Sequence, residues 1–138
     1  MTKINLEIVK QLREETGAGI MDCKSALEKA KGDFKKAKEI LEEEGAQKAA
    51  EKAERATSQG YIATYTHSTG KIGAMVEILC ETDFVARNEE FRQFAKEICL
   101  QVAAMAPKNQ KQLLKQEYIR DPSKTIDQLI KATIAKFG

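Results

Sequence analysis

Apolar residues recur along this chain at two periods, and the switch between them divides it. Ile4, Ile8 and Leu12 stand at i, i+4 and i+8, widened by Val9, so residues 4–16 are expected to form a helix. Gly17 can take the left-handed position that ends it, and Gly17-Ala18-Gly19 makes a tight turn. Asp22 is the expected N-cap of a second helix, whose stripe is Cys23, Ala26, Leu27 and Ala30. Gly32 closes it and Asp33 caps a third, in which Phe34, Ala37, Ile40 and Leu41 face inward and Gly45 is the stop. Helices this short are marginal alone. Residues 1–45 are therefore expected to be a three-helix module held together by mutual packing.

From Ala46 to Thr57 helix propensity stays high while large apolar residues disappear. This predicts a helical linker over residues 46–59, able to continue the third helix and broken by Ser58-Gln59-Gly60. The period then changes to two. Tyr61 to His67 is rich in aromatic and β-branched residues, His67-Ser68-Thr69-Gly70-Lys71 is a turn, and Ile72 to Cys80 presents a wholly apolar face of Ile72, Ala74, Val76, Ile78 and Cys80. A lone hairpin is marginal, so helices or a further strand must cover that face. Asn88 is the expected cap of a long helix, with Glu89 and Glu90 in its first turn, where the dipole favours acids. Phe91, Phe94, Ala95, Ile98, Val102 and Met105 form its stripe, and Pro107 ends it. Residues 108–120 read as a weakly patterned helix and Asp121-Pro122 as a break. Thr125 with Gln128 is a capping box opening a final helix with the stripe Ile126, Leu129, Ile130, Ile134 and Phe137. The fold class is α+β: a three-helix module, a helical linker, and over residues 60–138 a core in which an antiparallel β-hairpin packs on helices.

Composition narrows function more than fold. The 138 residues suffice for one domain with a core, or a small module plus a modest domain. No apolar run approaches the ~20 residues that span a membrane, and no secretory signal is present. The start Met1-Thr2-Lys3-Ile4-Asn5 leads directly into a helical pattern, so a bacterial cytoplasmic protein, or a processed organelle-matrix one, is expected. Lys and Arg number 23 against 21 Asp and Glu, intermixed on solvent-facing positions. A dedicated nucleic-acid binder would carry a basic stripe, so neither a specific nucleic acid nor a membrane is an expected partner.

Catalytic chemistry finds little purchase. Cys23, Cys80 and Cys99 are widely spaced at apolar-patterned positions, as buried reduced thiols would be, and no Cys-x-x-Cys occurs. His67, the only histidine, sits at a strand end beside a turn, so neither a zinc site nor a nucleophile–base pair is expected. No phosphate-cradling glycine loop is present, and Gly17-Ala18-Gly19 follows a helix where a dinucleotide motif would follow a strand. An enzyme is not expected, nor a cofactor.

The informative residues lie at the junction Glu81-Thr82-Asp83-Phe84-Val85-Ala86-Arg87-Asn88, where a strand stops and a helix is about to start. An acid there stands beside a bulky aromatic, where a fold can present both outward. Phe84 can instead cover the end of the core, with Asp83 a local cap. The second stretch is Thr16-Gly17-Ala18-Gly19-Ile20-Met21-Asp22-Cys23-Lys24 with Ala26-Leu27. Both stretches, in this order and spacing with the Ala-rich linker between them, resemble the two signatures of the translation elongation factor Ts family, and the resemblance covers essentially the whole chain. It implies a guanine nucleotide exchange factor for elongation factor Tu, the GTPase that delivers aminoacyl-tRNA. It also implies an N-terminal bundle of the ubiquitin-associated-like kind.

Carried over by position, Lys10, Arg13, Ile20 and Met21 would dock on the GTPase domain; family members often have Met where Ile20 stands. Asp83 and Phe84, flanked by Thr82 and Val85, would intrude beside the nucleotide and magnesium. Longer members carry two core subdomains and a coiled-coil part, whereas this chain has room for one core. It resembles the short forms, some of which pair as homodimers. Those usually continue past Phe137-Gly138 with a basic, strand-like segment, so a C-terminally truncated chain with an open sheet edge is expected. Two rival functions remain: a ubiquitin-associated-like adaptor acting through residues 4–45, and a ribosome- or RNA-associated accessory protein using Lys48, Lys52 and Arg55.

Overall fold

A computed structural model describes residues 4–137; the Met1-Thr2-Lys3 start and Gly138 lie outside the described residues. In chain order the elements are α1 (Leu6–Thr16), α2 (Ile20–Lys29), α3 (Phe34–Lys52), β1 (Gln59–Thr66), β2 (Gly73–Cys80), α4 (Asp83–Arg87), α5 (Glu89–Met105), α6 (Gln110–Lys115), β3 (Glu117–Tyr118), β4 (Asp121–Thr125) and α7 (Ile126–Phe137). The class is α+β. The chain divides into two units: Met1–Ala53 joined by Ile130–Gly138, and Glu54–Leu129.

In the first unit α1 opens on Asn5, whose side chain accepts the Glu7 N–H at 3.2 Å. It closes on Gly17, which is left-handed at φ 69° and donates its N–H to the Arg13 carbonyl at 2.7 Å. Val9, Leu12, Cys23, Ala26, Leu27, Ala30, Ala37 and Leu41 form the core, the stripes expected from their spacing. Two expectations fail. The second helix starts at Ile20, on Gly19, with no side-chain cap; Asp22 lies inside its first turn, where its charge suits the dipole. Gly45 does not stop α3, which runs on through it to Lys52. Gly45 is buried, and a Cβ there would stand 3.2 Å from the Ala135 Cβ of α7. Its missing side chain serves a close helix approach, and the Ala-rich segment after it prolongs the same helix. The helix gives way only at residues 53–58.

In the second unit β1 and β2 pair antiparallel, with Tyr61 opposite Ile78 and Ala63 opposite Val76. Alternation puts Tyr61, Ala63 and Tyr65 with Ala74, Val76 and Ile78 on one face, and α5 covers it with Ala95 and Cys99. That is the helix cover the lone hairpin requires. The opposite face leaves Ile62, Met75 and Leu79 exposed.

Residues 108–120 are not one helix. After α6 the chain makes a second hairpin from β3 and β4, with Tyr118 opposite Asp121, so Asp121-Pro122 begins a strand instead of breaking the chain. Pro122 is tolerated because β4 pairs only with β3 among the described residues, which leaves one side without ladder bonds. A fully buried Gln101 on α5 supports this hairpin. Its amide donates to the Glu117 carbonyl at 3.0 Å and accepts the Ile119 N–H at 3.0 Å. An amide this deep is tolerated only when so satisfied. The Tyr118 hydroxyl donates to Glu97 at 3.1 Å, and Arg120 pairs with the same carboxylate. Burial, and after it the Glu97 charge, push the Tyr118 phenol above its ordinary range. The expected capping box of α7 is present: Gln128 donates its N–H to the Thr125 hydroxyl at 3.2 Å, and the Thr125 N–H goes to the Gln128 side chain at 2.9 Å.

All three cysteines are buried and free. Burial is the leading cause that pushes each thiol above its ordinary range. The thiolate is the reactive form, so raised values and burial both slow attack. At about pH 8 the folded protein should react slowly with an aromatic disulfide reagent, and unfolding in guanidinium should release the full set of thiols. Rapid labelling of the folded chain would contradict this packing.

Candidate partner-binding site

The junction after β2 becomes a helix of five residues. Thr82 is its N-cap, with the hydroxyl accepting the Val85 N–H at 3.4 Å. The buried Cys80 thiol donates to the Thr82 carbonyl at 3.2 Å and ties the cap to the end of the strand. Asp83 opens α4, where the helix dipole favours a negative charge. Its carboxylate pairs with Arg87 one turn on, at 3.1 Å. Asn88 ends α4 by donating its N–H to the Val85 carbonyl at 3.0 Å. The Asn88 side chain also caps α5 by accepting from Glu90 N–H at 2.8 Å and Phe91 N–H at 3.4 Å. One asparagine thus closes one helix and opens the next, which makes the corner sharp.

Side chains advance about 100° per residue around a helix, so positions 84 and 86 point in nearly opposite directions. Ala86 is the buried one. Phe84 is 80% exposed. Leaving a phenylalanine in water forgoes about 1.5–3 kcal/mol of burial. Phe84 therefore does not cover the end of the core; Phe91, in the first turn of α5, is buried instead. Nor is Asp83 the cap, because Thr82 fills that position. The segment shows an aromatic and a carboxylate to solvent on a helix capped at both ends, flanked by Thr82 and a half-buried Val85. Such groups suit gripping a protein surface.

In the other unit Lys10 and Arg13 lie exposed on α1, while Ile20 and Met21, 53% and 73% exposed, form the start of α2. The glycine turn that moved the helix start forward to Ile20 makes these two apolar residues its first turn. Leu6, 75% exposed, stands one turn before Lys10 and belongs with this set. Sequence reasoning passed over it, although a leucine outside the Ile4, Ile8, Leu12 stripe was the available signal. Thr82, Asp83, Phe84 and Val85 share one helix and its cap; Lys10 and Arg13 lie on α1 and Ile20 and Met21 open α2; the two sets belong to different units.

Other candidates recede. His67 shares its ring nitrogen with the Thr69 hydroxyl at 2.9 Å in the hairpin turn. Lys48 pairs with Asp22 and Arg55 with Glu81, each at 3.5 Å, so two of the three cations proposed for RNA are engaged. Among the described residues no group of three potential ligands could hold a metal ion, and no helix is long and apolar enough to cross a membrane.

The family model for elongation factor Ts matches residues 6–112 and 81–138 of this chain. Elongation factor Ts of Thermoanaerobacter sp. is 42% identical, covering 98% of this chain and 88% of that protein. That of Coprothermobacter proteolyticus is 41% identical, covering 99% and 92%. That of Nitratidesulfovibrio vulgaris is 58% identical over 104 residues, 75% of this chain and 52% of its own length. The Thermoanaerobacter alignment runs over 180 positions against 138 residues here, so that protein carries residues with no counterpart in this chain.

Proposed function

The chain belongs to the elongation factor Ts family, and on that premise we propose how its residues act. It is a guanine nucleotide exchange factor for elongation factor Tu, promoting GDP release during translation elongation. The working end is α4. The observation that carries this assignment is Phe84: an aromatic 80% exposed, on a helix capped at both ends and anchored by Ala86.

The physics of exchange follows from linkage. A factor that binds the nucleotide-free GTPase best must weaken nucleotide binding by the same factor, because coupling is reciprocal. Speeding GDP release about a thousandfold means lowering its barrier by ~4 kcal/mol. Phe84 acts as an apolar wedge, filling a gap in the partner that opens only as nucleotide leaves. One buried aromatic anchor is typically worth ~2 kcal/mol or more, so wedge and docking contacts together reach the required size. Asp83 competes for groups that support the magnesium or a switch segment. It must first leave Arg87, and an exposed ion pair of this kind is worth only about 0–1 kcal/mol.

Lys10, Arg13, Ile20 and Met21, with Leu6, dock the three-helix module of the ubiquitin-associated-like kind on the GTPase domain. Thr82 and Val85 frame the wedge. The protein makes and breaks no bond, uses no cofactor of its own and acts in the cytoplasm. The exposed Leu6, Ile20 and Met21 would equally serve an adaptor that only binds. Turnover separates the two. At substoichiometric concentration an exchange factor empties the whole pool of labelled GDP from elongation factor Tu against excess unlabelled nucleotide. An adaptor would leave the release rate unchanged, and that result would overturn this assignment.

A further inference from the structure

A five-residue helix cannot hold itself in place, because so few backbone bonds form for the residues ordered. Ala86 is the only buried side chain of α4. The last carbonyls of a helix lack intrahelical partners. One of them, that of Ala86, accepts a hydrogen bond at 3.1 Å from Nε of Arg92, a half-buried residue in the first turns of α5. The same guanidinium lies over the Tyr61 ring of β1, with its carbon 4.8 Å from the ring centroid. Tyr61 is itself packed on the inward face of the hairpin, opposite Ile78. Arg92 thus joins the C-terminal end of α4 to the sheet from a third element. An arginine suits this place because its planar fork can donate along one edge while its face stacks on an aromatic ring.

We propose that Arg92 is a positioning residue for exchange: its guanidinium bridges the Ala86 carbonyl and the Tyr61 ring and holds α4 at the angle at which Phe84 enters the partner. The proposal rests on Phe84 being the exchange residue. Without the bridge α4 keeps its caps and Ala86 its burial, but the helix can swing about the Thr82 and Asn88 corners. A displacement of about 1 Å at a reacting geometry can cost up to a hundredfold, so a partial swing is expected to slow exchange about tenfold. Docking residues of the other unit are untouched, so the concentration of protein giving half-maximal exchange should change less than twofold.

The test measures GDP release from elongation factor Tu at saturating and subsaturating protein for Arg92→Ala, Arg92→Lys, Tyr61→Phe, Tyr61→Leu, Phe84→Ala and the Phe84→Ala/Arg92→Ala pair, all confirmed folded by circular dichroism. Tyr61→Phe keeps the ring and should match the wild type. Tyr61→Leu and Arg92→Ala should lower the saturating rate, and Arg92→Lys, which keeps a cation near the ring and loses the planar fork, should fall between. The deciding arm is the pair. If Arg92 acts through Phe84, adding Arg92→Ala to Phe84→Ala costs little more. An equal loss in both backgrounds would overturn the positioning role, as would an Arg92→Ala rate equal to wild type. A Phe84→Ala protein as fast as wild type would instead overturn the exchange site itself.

Discussion

Phe84→Ala is expected to cut the rate of GDP release from elongation factor Tu by about 30-fold or more, the equivalent of a ~2 kcal/mol anchor, while leaving the melting curve in place. The two halves of that result have separate causes. Stability is spared because the side chain is 80% exposed and α4 is anchored by Ala86 and capped by Thr82 and Asn88. Alanine is also a better helix former than phenylalanine, so the local propensity change is favourable. Exchange should be lost because the proposed aromatic contact is made only in the complex. Stopped-flow release of a fluorescent GDP analogue, paired with thermal melting, checks both halves. A variant that melts early and exchanges in proportion to its folded fraction would make Phe84 a structural residue.

Leu27→Ala is expected to cost about 2–5 kcal/mol, the range for a leucine truncated in a core. The effect should be confined to the first unit. Its core has only three leucines, Leu12, Leu27 and Leu41, among smaller residues, and Leu27 is fully buried. A small core supplies only about 3–5 kcal/mol in total, so one truncation approaches all of it. The second unit has its own cluster around Ala63, Ala95 and Cys99. Thermal circular dichroism should show an early loss of helix followed by a later transition. Exchange should then require more protein for the same rate, because the proposed docking residues Lys10, Arg13, Ile20 and Met21 lie on the loosened helices. A single transition shifted to lower temperature would show that the two cores are not independent.

Most of this architecture was legible because it is written in period and punctuation. The stripe of α1, the Asn88 cap and the Thr125–Gln128 box each depend on residues within one turn of each other, and each appears where the spacing put it. Two of the failures share one cause: the deciding partner is distant in sequence. Gly45 looks like a stop until Ala135 is seen beside it. The β3–β4 hairpin is invisible in a polar stretch because its support is a buried glutamine on α5, which the apolar stripe of that helix does not include. The candidate site divides in the same way. Residues Thr82 to Val85 could be named from the junction, but that Ala86 faces inward and Phe84 outward depends on a helix too short to leave a periodic trace. Arg92 and Tyr61 carry no motif, since a guanidinium on a carbonyl and a ring is a meeting of three elements.

The central claim is that Asp83 and Phe84 drive exchange while other residues provide grip. The most direct measurement is the saturating rate of GDP release from elongation factor Tu with the wild-type chain and with the Asp83→Ala/Phe84→Ala variant, together with the binding of each to the GTPase. The account predicts that the wild type accelerates release strongly, and that the variant, folded and still bound through Lys10, Arg13, Ile20 and Met21, accelerates it hardly at all. A folded variant that releases GDP as fast as the wild type would contradict it.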